Sequence, residues 1–232
     1  NAARRAWKLD AQERVEWVAG VVPCPAEEVR RVLRDKDRVY LLIVNAPGEC
    51  VVGGARRVVE ASVRELGCAF LELRGVTIAH CVVAREVESA YRELHLFETV
   101  PPPGVTFFSG AWRKAYVPDR ARAADAILAQ ALHALDYPML IEAAYKDGAR
   151  IFLEMGPGAS CTRAIDKILA HRPHLAQAAC VPGQDEAGTL LRMLGALLAE
   201  RVPVDLECLY GRESLAAGHC ELAEAPRESC IT

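Results

Sequence analysis

An α/β fold built from two unlike parts is predicted, and three observations predict it. Over residues 17–75, short apolar runs and amphipathic stretches follow the order strand, helix, strand, strand, helix, strand. That order is a ferredoxin-like β-α-β-β-α-β unit. Beyond it, strand-length runs are separated by helices long enough to cross back over a sheet, the pattern of parallel strands with helices packed on them. Pro-Gly signals fall between these periodic segments rather than inside them.

Each element has a local reason. WVAGVV is a strand-length apolar run, and Pro25 then opens AEEVRRVL, whose apolar residues recur at helical spacing. VYLLIVNA and CVVGG flank a turn at Pro47 and Gly48, ARRVVEASVREL is a second amphipathic helix, and CAFLELRG reads as the closing strand. REVESAYREL is helical in pattern, and the PPPG break at Pro101 to Gly104 precedes the strand-like VTFFSG. Helices are predicted over roughly 120–135 and 138–147. A strand, RIFLEMG, then runs through Pro157 and Gly158 into the helix SCTRAIDKIL, and AQAACV precedes the long helix EAGTLLRMLGALLAERV. From Gly211 the apolar pattern fades and the remainder reads as linker.

Composition narrows the function classes. With 28 Lys and Arg against 31 Asp and Glu the net charge is −3, which gives no electrostatic reason to expect a nucleic-acid or membrane-surface partner. Apolar runs such as VYLLIVNA fall far short of the roughly 20 residues that span a bilayer. The nine cysteines are odd in number, irregular in spacing and without a CxxC, which fits neither a disulfide scaffold nor a zinc site and points to a reducing, cytoplasmic setting. The sequence opens mid-pattern at NAARRAWKLD, without a Met, and reads as a piece of something longer.

His80 is the titratable residue best placed for chemistry. It ends LRGVTIAH just before a predicted helix, where a side chain can face a cleft while its backbone stays fixed. An imidazole there suits a general base; a half-buried histidine bonded to a carbonyl is the bland alternative. No GxSxG elbow accompanies it, and Ser109 in FFSGAW and Ser160 in GASCT lack that context. Cys81 adjoins His80, but neighbours in an extended chain point to opposite faces, so Cys81 belongs to the core. LEMGPGASCTR lacks the Walker and GxGxxG patterns; its helix start offers amides to an anion, against the simpler reading of a tight strand-to-helix turn. His171 and His174 in HRPH have no third ligand nearby and are expected at the surface. Asn45 ends a strand at NAPGE, where Asn is common for its own turn hydrogen bonds.

Four segments, in order, resemble the malonyl-CoA:acyl-carrier-protein transacylases and the acyltransferase domains of polyketide and polyunsaturated fatty acid synthases. They are WVAGVV with its acidic helix, the hairpin NAPGECVVGG, TIAH, and YPMLIEAAYKDGAR leading to FLEMGPGASCTR. The resemblance covers roughly residues 15–210. It implies a ferredoxin-like subdomain at 15–75 and the C-terminal part of an α/β-hydrolase-like acyltransferase subdomain at 76–211. Residues 1–14 would be the N-terminal remnant of that large subdomain and 212–232 a linker or tail.

By the same resemblance, a serine in a GHSxG elbow upstream of Asn1 takes an acyl group from a coenzyme A thioester. It passes the group to the phosphopantetheine of an acyl carrier protein, and no cofactor is bound. His80 is implied as the base, oriented by a main-chain carbonyl that falls on Tyr137, and Asn45 as a residue lining the cleft near the substrate. Arg4 or Arg5 stands near where the family's carboxylate-binding arginine belongs. Malonyl-CoA is the default donor, because Thr77-Ile78-Ala79 before His80 matches neither the HAFH nor the YASH pattern of extender choice. The partners implied are the carrier protein and the other domains of a multidomain synthase, with no nucleic acid and no membrane. A non-catalytic ferredoxin-like module that docks a carrier protein is the alternative. An RNA-binding ferredoxin-like domain is disfavoured, since its strands lack exposed stacking aromatics.

Overall fold

The Val-rich runs at the N-terminal end pair as one sheet. The computed structural model describes residues 2–10, 12–76 and 78–210. A short helix α1 (Ala2–Ala6) precedes β1 (Trp17–Val22), α2 (Ala26–Leu33), β2 (Val39–Ala46), β3 (Glu49–Ala55), α3 (Arg56–Leu66) and β4 (Leu71–Glu72). Strand order is β4-β1-β3-β2, all antiparallel, as a ferredoxin-like unit requires. The closing strand expected from CAFLELRG is only two residues long. A fifth strand, β7 (Leu135–Asp136), joins β2 in parallel at the far edge, with Ile43 opposite Leu135 and Val44 opposite Asp136.

Alternation along the strands sorts side chains to two faces. Val18, Val22, Val44, Cys50 and Val52 face α2 and α3 and bury with Val29, Val32 and Val59. Val22, Val29, Val52 and Val59 are at most 1% exposed, and each contributes about 1.5–3 kcal/mol by leaving water. Ala19, Leu42 and Val51 point the other way, onto Ala3 and Trp7 of the N-terminal segment and onto Cys81 and Val83. Trp7, Trp17 and Tyr40 stack there, and the Trp7 indole N–H donates to the Tyr40 hydroxyl at 3.0 Å. The residues flanking His80 are therefore packed against the back of the ferredoxin-like sheet. Gly54, the penultimate residue of β3, sits at φ 155°, where a side chain would run into the carbonyl oxygen of Arg38.

After the sheet come a 3-10 helix (Val82–Val87), α4 (Glu88–Glu93), and a hairpin of β5 (Phe107–Ser109) and β6 (Lys114–Tyr116), where the sequence pattern predicts a single strand. Then follow α5 (Arg120–Leu132), β7, α6 (Tyr137–Lys146), β8 (Ile151–Glu154), α7 (Ser160–Ile168), β9 (Leu175–Ala178), α8 (Glu186–Ala199) and α9 (Glu207–Tyr210). β8 and β9 pair in parallel, and Ile141 of α6, Ile165 of α7 and Leu169 at the C-cap of α7 pack with Phe152 and Ala176. Two ion pairs tie this half to the ferredoxin-like unit, Lys167 with Glu49 at 2.9 Å and Arg30 with Asp136 at 3.9 Å. The linker expected from Gly211 onward lies outside the described residues. Among the described residues, no helix is long and apolar enough to cross a membrane.

Candidate active site

The site begins with the end of α5. A helix leaves its last four carbonyls without intrahelical partners, and α5 ends at Leu132. The Ala129 carbonyl accepts from the backbone N–H of His133 at 3.1 Å, and that of Ala131 accepts from the backbone N–H of Cys81 at 3.2 Å. The Gln130 carbonyl lies 2.6 Å from Nδ1 of His80. A carbonyl only accepts, so Nδ1 carries the proton and Nε2 keeps the basic lone pair. His80 is half-buried, and its backbone is held at φ 61°, in the left-handed region that L-residues seldom occupy. The His80 segment is a turn, not a strand end, and the 3-10 helix follows it directly.

That turn is clamped from three sides. Cys81 is 4% exposed, and burial pushes its thiol pKa up, which makes it core rather than the partner of a dyad. Ala84 packs with Leu128, Ala131 and Leu132 of α5. Arg5 of α1 pairs with Glu86, Nε to carboxylate at 3.1 Å and Nη2 to the main-chain carbonyl at 2.9 Å. Arg4 donates to the carbonyl oxygens of Asp10 and Glu13. Both candidate carboxylate-binding arginines are thus engaged within the chain. Thr77, in the triplet before His80, lies outside the described residues.

The carbonyl that meets His80 is not that of Tyr137. Tyr137 is the first residue of α6, so its carbonyl is directed along the helix, four positions from the next turn's N–H. Its phenol is half-buried in the α6–α7 core, where burial, with the Cys161 thiol beside it, pushes its pKa well up. Sequence reasoning missed Gln130 because a main-chain acceptor has no side-chain signature. The available signal was the C-terminus of the predicted helix, whose free carbonyls needed partners.

Asn45 directly follows Val44, whose pairing with Asp136 ends the β2–β7 ladder. Its side-chain N–H donates to Glu49 at 3.2 Å, and Lys167 holds the other Glu49 oxygen, lowering that carboxyl's pKa. Ser109 is 1% exposed and its hydroxyl accepts from the Trp112 N–H, a turn role rather than a nucleophile's. The α7 start is no open anion site, because the Glu154 carboxylate already accepts from the N–H groups of Cys161 and Thr162 and from the Thr162 hydroxyl. His171 is exposed; His174 is not, its ring held between Asp166 at 3.1 Å and the Arg172 carbonyl at 2.8 Å. Among the described residues, no group of three or more His, Cys, Asp or Glu gathers to hold a metal.

The acyltransferase domain of the second module of the salinomycin polyketide synthase superposes with a TM-score of 0.75 over 97% of this chain and 52% of that one, at 21% identity. The fold is that of an acyltransferase domain. Malonyl CoA-acyl carrier protein transacylase of Clostridium perfringens superposes at 0.67 over 86% of this chain and 63% of that one, at 17% identity. In sequence, a polyunsaturated fatty acid synthase polypeptide from a Thraustochytrium species is 24% identical over 94% of the chain. The chain spans 12% of that polypeptide and about half of the salinomycin acyltransferase domain. No family model matches it.

Proposed function

We propose that this chain is the C-terminal part of an acyltransferase that moves a malonyl-type acyl group from coenzyme A to the phosphopantetheine of an acyl carrier protein. The His80–Gln130 contact carries the reading, since it fixes the tautomer that leaves Nε2 as a base. A serine outside these 232 residues supplies the nucleophile. Nε2 takes the hydroxyl proton as the oxygen attacks the thioester carbonyl, and the imidazolium returns it to the departing coenzyme A thiolate. The cycle repeats in reverse with the carrier's thiol. A carbonyl stands where a conventional triad has an aspartate; it orients the ring without adding charge.

On this reading, residues 15–75 form the smaller subdomain and 76–211 belong to the larger one, in a cytoplasmic synthase. Asn45, beside the start of α6, lines the cleft from the smaller subdomain. In the polypeptide that holds the complete domain, His80→Ala should slow acyl transfer by about 10²–10⁴ while leaving the fold intact. A wild-type rate in that variant would sink the proposal. If the parent polypeptide has no GHSxG, the non-catalytic docking module replaces it.

A further inference from the structure

A second feature flanks the His80 site. The β5–β6 turn approaches α5, so that a Cβ on Gly110 would lie 3.7 Å from the side-chain oxygen of Gln130, the residue whose carbonyl holds His80. Two residues on, Trp112 stands edge-to-face with Tyr116, ring centroids 5.2 Å apart. These rings, with Lys114, Ala115, Val117 and Arg122, line a shallow recess of about 530 Å³. That falls inside the roughly 300–1,000 Å³ range of small-molecule sites. The Ser109 hydroxyl, accepting from the Trp112 N–H, fixes the turn that presents the indole.

Charge around this recess departs from the rest of the molecule. Between Trp112 and Arg122 the chain carries Arg113, Lys114, Arg120 and Arg122 against Asp119 alone, in a protein of net charge −3. Asp119 is occupied as the N-cap of α5, accepting from the N–H groups of Ala121 and Arg122. Lys114 and Arg120 make no ion pair among the described residues, and Arg122 reaches Asp119 only at 3.7 Å. Two aromatic faces beside exposed cations suit a planar base that carries phosphates. An acidic peptide would use the cations but leave the indole without a partner.

We propose that this recess holds the adenine nucleotide end of the acyl-coenzyme A donor, with the purine against Trp112 and Tyr116 and the phosphates on Lys114 and Arg122. The inference rests on the acyltransferase reading. A coenzyme A thioester keeps its sulfur and its nucleotide far apart at the two ends of the pantetheine arm, so the nucleotide belongs beside His80, not on it.

The test is equilibrium binding of coenzyme A, ADP and pantetheine to the complete acyltransferase domain that contains this chain, followed calorimetrically, in wild type and in the double variant Lys114→Ala/Arg122→Ala. Both side chains are exposed, so the variant should fold, and an unchanged melting temperature checks that it has. Coenzyme A should bind wild type, ADP should compete with it, and pantetheine should not displace ADP. The double variant should weaken coenzyme A about tenfold or more, the loss expected for charge-assisted bonds to phosphate. Unchanged coenzyme A affinity in the variant overturns the inference, as does ADP binding without competition, a preference for a single-stranded oligonucleotide, or no coenzyme A binding at all. Loss of transfer in His80→Ala together with unchanged binding in the double variant would remove this site and keep the acyltransferase reading.

Discussion

The main-chain carbonyl of Gln130 caps Nδ1 of His80 at 2.6 Å, and the same turn is held in the left-handed region at φ 61°. The two constraints separate chemistry from backbone. Asn tolerates that backbone, whereas a β-branched residue does not. Both His80→Asn and His80→Val should abolish transfer in the complete domain; the Asn amide keeps an N–H donor for the Gln130 carbonyl, whereas Val loses that contact, about 1 kcal/mol. His80→Val should fall a further ~1–2 kcal/mol in chemical denaturation, the backbone cost of the left-handed turn. Equal stability of the two variants would mean the segment relaxes out of that conformation.

Because Gln130 acts through its backbone, its side chain is dispensable for the contact. Gln130→Ala keeps the carbonyl at the end of α5 and should hold the transfer rate within a factor of about 2, the scale of a neutral substitution. A hundredfold loss would show that the side chain, which faces Gly110, takes part directly.

Local periodicity made the ferredoxin-like unit legible. WVAGVV, VYLLIVNA and CVVGG are apolar runs of strand length, and Pro47-Gly48 marks the turn between the second and the third. β5 falls within the predicted strand VTFFSG, but β6 and β7 were not legible, because three- and two-residue strands carry no period. Of the candidate residues, His80 stood out as an imidazole at the edge of a predicted element. Its partner did not, since Gln130 acts as a helix-end carbonyl and the Tyr137-Pro138 pattern drew attention to the start of the next helix instead. Asn45 was visible by its place at a turn, but its bond to Glu49 depends on Lys167 arriving from α7, a contact between residues far apart in sequence.

Glu154 closes the N-terminus of α7 from the end of β8. Burial raises its carboxyl pKa, but bonds from Thr162 and Cys161 outweigh burial and leave it below the ordinary 4.5. A depressed folded-state value means that the stabilisation is present above the unfolded value and is lost as pH falls through the folded one. Glu154→Gln should cost about 1 kcal/mol at pH 7, the size of a lost helix cap. The gap from wild type should narrow below pH 4.5 in urea titrations at several pH values. A gap independent of pH would mean the charge does not matter there.

The Glu49–Lys167 pair joins the β2–β3 turn to α7. Lys167 lies more than half exposed, so screening limits the pair to under about 1 kcal/mol. A double-mutant cycle with Glu49→Gln and Lys167→Met should give a coupling of that size. Asn45→Ala should lower it by loosening the Glu49 carboxylate. A coupling unmoved by Asn45→Ala would free Asn45 from the bridge and favour its place at the substrate.

Cysteine reactivity reads the clamping of the His80 turn directly. Cys161 is exposed at the first turn of α7, whereas Cys50 is fully buried, and burial, its largest influence, pushes its thiol up to about 11. Cys81 is buried beside His80 and raised for the same reason. The thiolate is the reactive form, so burial and a raised pKa act together to slow alkylation. A brief pulse of iodoacetamide on the native chain, mapped by mass spectrometry, should label Cys161 well ahead of Cys50 and Cys81, which stay unmodified until denaturant is added. Cys50 reports opening of the ferredoxin-like core and Cys81 reports opening of the turn that carries His80, so their relative rates rank the two. Labelling of Cys81 well ahead of Cys50 would locate a local opening at the turn that carries His80, and Arg5→Ala, by removing the Glu86 clamp, should bring that order about.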